Sequence, residues 1–166
     1  MNKKGFTLIE LLGVIVILAI IMVIAIPNIT SILDKTKRET YISDARKMIT
    51  QAEYVIRTSD VERPSATDIV KIRLSYLGTS DVKTDPDGNL YNLDNSYVIV
   101  VRKDGYLEYY VNLVADIDDG NKGISLTHQD NLNGNERLKL IKSDFTLPTD
   151  SEIMSITGIN GTIKTY

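Results

Sequence analysis

An almost unbroken apolar run from Phe6 to Ile26 limits what this chain can fold into more than any other feature. At ~1.5 Å of rise per residue, a helix of that length roughly spans the ~30 Å hydrocarbon core of a bilayer. The run is too long for the apolar part of a cleaved secretory signal, and no small-x-small cleavage site follows it. The sequence therefore predicts a transmembrane helix near the amino terminus.

Glu10 is the one charge inside this run. A plain single-pass anchor explains the length and the flanking charges but not the carboxylate, because a charge in a membrane helix is costly and usually marks function. The alternative is a tolerated interfacial acid, since Glu10 lies only about one turn inside the run. We favour a functional role for this side chain.

The start of the chain carries a specific motif, Lys3-Lys4-Gly5-Phe6-Thr7-Leu8-Ile9-Glu10-Leu11-Leu12. The motif resembles the class III leader of type IV prepilins and pseudopilins, and the resemblance covers about residues 1–30. It implies that a membrane-embedded prepilin peptidase cuts after Gly5 on the cytoplasmic side and that Phe6 is then N-methylated. It further implies that Glu10 governs assembly and that Pro27 bends the helix.

Physical reasoning agrees with these implied roles. Cleavage after Gly5 would create an α-amine on Phe6, close to Glu10. In an isolated subunit this carboxylate has no partner in the sequence, whereas in a filament of parallel helices a neighbour's amine could lie against it. Opposite charges attract strongly in a low-dielectric setting and penalise mispairing. We therefore interpret Glu10 as a residue that sets the register between helices, as single buried polar residues do in coiled coils.

The resemblance also implies partners and a location. The partners are other copies of the subunit in a homopolymer, the prepilin peptidase, and an assembly ATPase with its membrane platform. Lipid surrounds the apolar helix before assembly. The amino terminus lies in the cytoplasm, the prepilin spans the cytoplasmic membrane once, and the assembled pilus is extracellular. Many Gram-negative pilins close a carboxyl-terminal loop with a disulfide, so the absence of cysteine favours a Gram-positive source.

The pattern divides the chain into four segments. They are a leader peptide (1–5), a transmembrane or filament-core helix (6–26), an amphipathic half of the same long helix (27–59) and a globular head (60–166). In the amphipathic half, apolar residues recur at spacings of three and four, which is typical of a helix with one buried face. The clearest stripe comprises Tyr41, Ile42, Ala45, Met48, Ile49, Ala52, Val55 and Ile56.

The head is predicted to be α+β, with a small antiparallel sheet packed on the long helix as in the pilin lollipop fold. Tyr97–Arg102 and Tyr106–Val114 are rich in β-branched and aromatic residues, and Asp104-Gly105 between them is a hairpin signal. Alternation in the second strand places one apolar set on the face toward the helix, namely Leu107, Tyr109, Val111 and Leu113.

Before the hairpin, local signals predict a short helix and a turn. Ser65-Ala66-Thr67-Asp68 resembles a capping box, so a helix is predicted from about Ala66 to Tyr76, with Gly78 as its carboxyl-terminal cap. Asp85-Pro86-Asp87-Gly88 is a turn sequence.

Weaker strand signals follow the hairpin. They lie at Gly123–Thr127 and Arg137–Lys142, and a terminal hairpin is predicted around Asn160-Gly161, ending at Tyr166.

Charge limits the partners of the head. From Asp60 onward the chain has 11 Lys and Arg against 17 Asp and Glu, a net charge of −6. This balance argues against a broad nucleic-acid-binding surface, although it leaves a local basic patch open. Seven of the nine tyrosines lie in the head. Tyrosine side chains usually pack in sheets and interfaces, so we favour packing over a ligand-binding surface for them.

Candidate chemistry is sparse. Asp116, Asp118 and Asp119 give one loop the oxygen density of a calcium site, but the spacing and the downstream acid of an EF-hand are missing, so a solvated acidic turn is favoured over calcium. His128 is the only histidine, and no motif surrounds it. No cofactor and no catalytic residues are predicted, and the chain is not expected to be an enzyme.

The sequence therefore predicts a structural subunit of a type IV pilus, processed after Gly5 and assembled into a surface filament. Filaments of this kind serve adhesion, twitching motility, biofilm formation or DNA uptake. Two alternatives stay open at this point. A pseudopilin of a secretion or competence system would share the leader, and a single-pass membrane-anchored binding protein would keep the leader uncut and would not need Glu10.

Overall fold

The computed structural model of this chain describes residues 5–58, 60–78, 80–117, 120–132, 141–142 and 146–166. The chain forms two compact units, Met1–Thr36 and Lys37–Tyr166. The predicted segment boundaries at residues 5, 26 and 59 stay predictions.

A single long helix, α1, runs from Leu8 to Arg57 and confirms the predicted long amino-terminal helix. Its first part contains a stretch of mean hydropathy 3.2, and α1 is the one helix in the described ranges that is long and apolar enough to cross a membrane. By length and composition alone, a signal sequence would pass the same test. The backbone stays helical through Pro27, and the bend there stays a prediction.

Within the described residues, the second compact unit contains the carboxyl-terminal part of α1, a six-stranded sheet and two short α-helices. In chain order the strands and short helices are β1 (Ile69–Arg73), α2 (Leu74–Leu77), β2 (Tyr97–Lys103), β3 (Tyr106–Ile117), β4 (Gly120–His128), β5 (Ile141–Lys142), α3 (Asp150–Thr157) and β6 (Ile163–Thr165). The strand order is β5-β4-β3-β2-β1-β6. All neighbours are antiparallel except β1 and β6, which are parallel.

The β2–β3 hairpin is confirmed. Val98 pairs with Val111 and Val100 with Tyr109, so the register keeps the predicted apolar set of β3 on one face. The turn at Asp104-Gly105 has positive φ at both residues, 49° and 88°. Two positive φ values match the twist of the flanking strands, which explains why this dipeptide is a reliable hairpin signal.

The carboxyl-terminal part of α1 packs against one face of the sheet, as predicted. The whole Tyr41–Ile56 stripe is buried in one cluster with side chains from β1 to β4, among them Ile72, Val100, Val111 and Ile124. The fold class is therefore α+β, a long amino-terminal helix with a mostly antiparallel sheet.

The second face of the sheet is also covered, which the sequence did not predict. Ile153 of α3 is fully buried against Ile69, Ile99 and Leu126 on this face. Thr149 caps α3 because its hydroxyl accepts from the Glu152 N–H while the Glu152 carboxylate accepts from the Thr149 N–H.

Two predicted elements are wrong. The helix predicted from Ala66 to Tyr76 is largely strand β1, and only its end is the short helix α2. Ser65 accepts a hydrogen bond from the Thr67 N–H, so the local pattern forms a turn that leads into a strand. Three residues of this strand, Ile69, Val70 and Ile72, are β-branched and buried, and they face both sides of the sheet. Strand pairing therefore outweighs the local helix signal.

The predicted terminal hairpin around Asn160-Gly161 is also wrong. α3 occupies Asp150–Thr157, and β6 then pairs in parallel with β1 rather than with a preceding strand. Gly161 is required by a close backbone approach, because a Cβ atom there would lie 1.5 Å from the Thr67 carbonyl oxygen.

The other local predictions are confirmed where the structure describes them. Gly78 has φ 60° and caps α2 through its N–H to the Leu74 carbonyl. The Asp85–Gly88 turn forms, and β4 includes the predicted strand Gly123–Thr127. Of the predicted strand Arg137–Lys142, Ile141 and Lys142 form β5, and the remainder lies outside the described residues.

Candidate functional site

The predicted processing site lies just before the first turn of α1. Gly5, Phe6 and Thr7 are not helical, and α1 begins at Leu8. Phe6 is 83% exposed, and nothing lies within 4 Å of a Cβ atom built on Gly5. The Gly5–Phe6 peptide bond is therefore outside the hydrogen-bonded helix and open to approach.

Glu10 has a local partner, which corrects the expectation that an isolated subunit offers it none. The Thr7 N–H and the Thr7 hydroxyl both donate to Glu10 Oε2 at 2.8 Å, and the Glu10 N–H donates to Thr7 Oγ1 at 3.4 Å. Thr7 and Glu10 thus form a capping box, which satisfies amide groups that the first helical turn leaves unpaired. The Thr-x-x-Glu spacing in the sequence was the signal for this contact.

The apolar surface that follows has no cover within its own unit. Every large apolar side chain from Phe6 to Ile26 is exposed, with Leu8 at 87% and Val23 at 74%. An apolar surface of this extent is stable in lipid or against other helices but not in water. This part of α1 therefore needs a membrane or a set of neighbouring helices around it.

A buried polar cluster joins α1 to the loop between α2 and β2. Tyr41 donates to Asp85 Oδ2 at 2.8 Å, and Tyr91 donates to Asp44 Oδ2 at 3.1 Å. The two tyrosine rings pack edge to face, with centroids 5.9 Å apart. Burial, reinforced by the neighbouring carboxylates, raises the pKa of both tyrosines, so both hydroxyls remain donors.

Two lysines complete this cluster around Asp87. Lys37 Nζ lies 2.5 Å from Asp87 Oδ1, and Lys122 Nζ binds Asp87 Oδ2. The hydrogen bonds from Lys122 and then Lys37 lower the pKa of the Asp87 carboxyl. Lys122 is only 7% exposed, and burying a cation is tolerated when a carboxylate pairs with it. Sequence reasoning identified Asp85–Gly88 as a turn but missed these partners, which are distant along the chain.

Of the three carboxylates in the predicted calcium loop, the structure describes only that of Asp116. Asp116 is the penultimate residue of β3, and its carboxylate accepts hydrogen bonds from the Asn92 side-chain amide at 3.0 and 3.1 Å. Asp118 and Asp119 lie outside the described residues. Within the ranges that the structure describes, no group of three or more His, Cys, Asp and Glu side chains is arranged to hold a metal ion.

His128 packs edge to face on Tyr110, with ring centroids 4.9 Å apart. Its Nε2 lies 3.7 Å from Glu108 Oε2, and its Nδ1 accepts from the Asp130 N–H. These contacts give it a packing and capping role at the end of β4.

The tyrosines of the head divide between packing and exposure. Tyr91, Tyr97, Tyr109 and Tyr110 are buried, in agreement with the packing interpretation. Tyr106, at the start of β3, is 78% exposed.

Comparison with known proteins gives one finding, at the amino terminus. The sequence model of one protein family, described as a prokaryotic N-terminal methylation motif, matches residues 1–26. Neither the curated proteins nor the solved structures compared with the chain gave a match. The matched residues include the Gly5–Phe6 bond, Glu10 and the exposed apolar part of α1. The match marks residues 1–26 as a class III leader of the kind that type IV pilins and pseudopilins carry.

Proposed function

We propose that this chain is the structural subunit of a type IV pilus. Prepilin peptidase cuts after Gly5, Phe6 is methylated, and the subunit waits in the cytoplasmic membrane until it enters a helical filament. The observation that carries the proposal is the exposed apolar surface from Phe6 to Ile26, which lies in the stretch matched by the methylation motif. A surface of this kind can exchange lipid for neighbouring helices without exposure to water.

Glu10 supplies the specificity of this exchange. Two unit charges 4 Å apart attract by about 1 kcal/mol in water and by about 4 kcal/mol at the effective dielectric of a partly buried pair. A neighbour's methylated α-amine against Glu10 therefore favours one register over slipped ones. The N–H and the hydroxyl of Thr7 both donate to Oε2 of Glu10. No described residue donates to Oε1, so Oε1 can accept a hydrogen bond from the incoming amine.

The capping box allows the charge of Glu10 to be separated from its local structural role. Glu10→Gln keeps a side-chain oxygen that can accept from Thr7 and so keeps the cap, but it removes the charge. We expect this variant to insert in the membrane and to form no filaments by electron microscopy of cells. Thr7→Ala weakens the cap by about 1 kcal/mol but keeps the charge, and it should still assemble.

Normal filaments from Glu10→Gln would refute the role of the charge. Loss of filaments from Thr7→Ala, with filaments retained by Glu10→Gln, would mean that the cap rather than the charge matters.

The remaining partners follow from the pilus proposal. An assembly ATPase and its membrane platform supply the work, and other copies of the chain form the homopolymer. Adhesion, twitching motility, biofilm formation and DNA uptake are all roles that such a filament can serve. The Gram-positive source stays a prediction.

Two other functions remain in competition with a long pilus. A pseudopilin would give a short structure in cells but the same processed amino terminus. A single-pass anchored binding protein would retain Met1 and would form no filament with or without Glu10. Filament length in electron micrographs separates the first alternative from a pilus, and the mature amino terminus separates the second.

A further inference from the structure

An arginine-lined hollow lies where the end of α1 meets the β2–β3 hairpin. Its volume is about 420 Å³, and its charged lining comprises Arg57, Arg63, Arg102 and Glu53. Arg57 is the last residue of α1, Arg63 lies in the connection to β1, and Arg102 is near the end of β2. Three separate parts of the chain thus bring three guanidinium groups together, where the end of α1 meets the acidic head.

None of these guanidinium groups is neutralised within the described chain. All three arginines are exposed, and no ion pair or hydrogen bond to a described residue engages their side chains. By contrast, Arg46 donates to the Leu132 carbonyl at 2.7 Å. Like charges held near each other repel, so an arrangement of three free guanidinium groups is stabilised by any anion that enters it.

Tyr109 forms a polar part of the floor. The residue is 7% exposed, and no described residue accepts a hydrogen bond from its hydroxyl. Burial and the charge of Glu53 raise the pKa of Tyr109, while Arg57 and Arg63 act in the opposite direction. The charges of Arg57 and Arg63 are therefore close enough to affect the Tyr109 hydroxyl. The hydroxyl stays protonated and can donate a hydrogen bond to a ligand.

The chemistry of the lining selects the ligand. Arginine binds phosphate and carboxylate through a planar fork of N–H donors, and three such forks exceed what one carboxylate can accept. The hollow is open and far larger than the ~30 Å³ that a small molecule such as water occupies in the liquid. Tyr106 lines its rim and is 78% exposed, so an aromatic surface lies beside the cations. Cations combined with an exposed aromatic ring are the features that hold single-stranded nucleic acids.

We propose that this hollow is a binding site for the phosphodiester backbone of a single-stranded nucleic acid, with Arg57, Arg63 and Arg102 on phosphates and Tyr106 against a base. The net charge of −6 on the head weakens any broad contact, so binding is confined to this local patch and is sensitive to salt. All four residues lie in the unit Lys37–Tyr166. The site therefore does not depend on filament assembly, and it can succeed or fail independently of the pilus proposal.

The test uses the full-length protein in nonionic detergent and a fluorescent oligothymidylate. For three phosphate contacts, log K should fall with log salt with a slope of roughly −2, which is a loss of roughly 15-fold between 50 and 200 mM salt. Arg63→Ala should weaken binding about tenfold and reduce the slope to roughly −1.4. Glu53→Gln should tighten binding, because it removes the one anion of the lining.

Two further variants separate the contributions. Tyr106→Ala should weaken binding roughly tenfold and leave the salt slope unchanged, because it removes stacking and no charge. Arg73→Ala is the matched control, since Arg73 is exposed on β1 and outside the hollow, and it should bind as the wild type does. Unchanged thermal unfolding of each variant will establish that folding is preserved, as expected for exposed side chains.

Competitors identify the chemistry of the ligand. Inorganic phosphate at millimolar concentration should displace the oligonucleotide partially, and polyglutamate of equal charge should displace it poorly. Displacement by polyglutamate as effective as by unlabelled oligonucleotide would overturn the proposal in favour of an acidic protein partner. Equal binding by the wild type and an Arg57→Ala, Arg63→Ala, Arg102→Ala triple variant would also overturn it.

Discussion

The buried carboxylate of Asp85 offers a sharp test of how the loop between α2 and β2 is held on α1. Asp85 is 4% exposed, and it accepts hydrogen bonds from the Tyr41 hydroxyl, the Asp87 N–H, and both the N–H and the side-chain amide of Asn89. Asp85→Ala leaves the fully buried Tyr41 hydroxyl without a partner, at a cost of about 1–3 kcal/mol. Losing the hydrogen bond from the Asp87 N–H, and likewise the one from the Asn89 N–H, costs about 1 kcal/mol more in each case.

The expected total is about 3–5 kcal/mol of unfolding free energy. For a unit of this size that corresponds to a fall in Tm of roughly 10–20 °C. Thermal unfolding of the full-length protein in detergent, followed by tyrosine circular dichroism, measures it. Asp94→Ala is the matched control, because Asp94 is exposed and its carboxylate accepts no hydrogen bond from a described residue, and it should change stability by less than about 0.5 kcal/mol. Equal Tm values for Asp85→Ala and Asp94→Ala would refute the reasoning about the buried network.

The same carboxylate predicts a pH dependence. Burial raises the pKa of Asp85, but the hydrogen bonds from Asn89, Tyr41 and Asp87 outweigh it and hold the pKa below its ordinary value. A carboxyl whose pKa is lowered by folding stabilises the protein above its unfolded value of about 3.9, and the contribution is lost as pH falls through the folded pKa. The stability difference between the wild type and Asp85→Asn should therefore be constant near neutrality and shrink below about pH 4. A difference that grew on acidification would contradict this assignment.

Three further predictions concern the rest of the head. Gly161→Ala should lower Tm strongly, since the new Cβ would collide with the Thr67 carbonyl, and an unchanged Tm would show that β6 does not approach that turn. Thr149→Ala removes the cap of α3 and should cost about 1 kcal/mol in thermal unfolding, whereas no loss would mean that α3 is not held by its capping box. Replacing a chelator with calcium should leave Tm unchanged, because Asn92 already engages Asp116, and a rise in Tm would restore that loop as a metal site.

The elements that the sequence predicted best are those whose signal is local and repeated. The long helix follows from a continuous apolar run and a stripe that recurs over several turns. The β2–β3 hairpin follows from a two-residue turn between alternating strands. In both, residues close in the sequence make the deciding contacts, so propensity and periodicity agree with the final fold.

The elements that were predicted wrongly depend on distant partners. Ile69–Arg73 is a strand because Tyr97–Lys103 and Ile163–Thr165 lie on either side of it, and none of these contacts is visible in the local sequence. α3 is short, and what holds it is burial of Ile153 on the second face of the sheet. The Tyr41–Asp85 hydrogen bond joins residues 44 positions apart, so no spacing rule could find it.

At the amino terminus, the leader motif predicted cleavage after Gly5 and an assembly role for Glu10. The match to the methylation motif covers both residues, and their roles stay predictions. The same motif contained a capping box that the sequence analysis did not name, in which the N–H and the hydroxyl of Thr7 both donate to Oε2 of Glu10. The arginine hollow was not predicted, because Arg57, Arg63 and Arg102 come together only when β2 lies beside the end of α1.

The central claim is that the chain is processed so that its apolar helix can pass from lipid into a filament. Mass spectrometry of the protein purified from its native host tests this most directly. The account predicts an amino-terminal peptide that begins at N-methylated Phe6, with residues 1–5 absent. An intact amino terminus beginning at Met1, on protein taken from the cell surface, would contradict it.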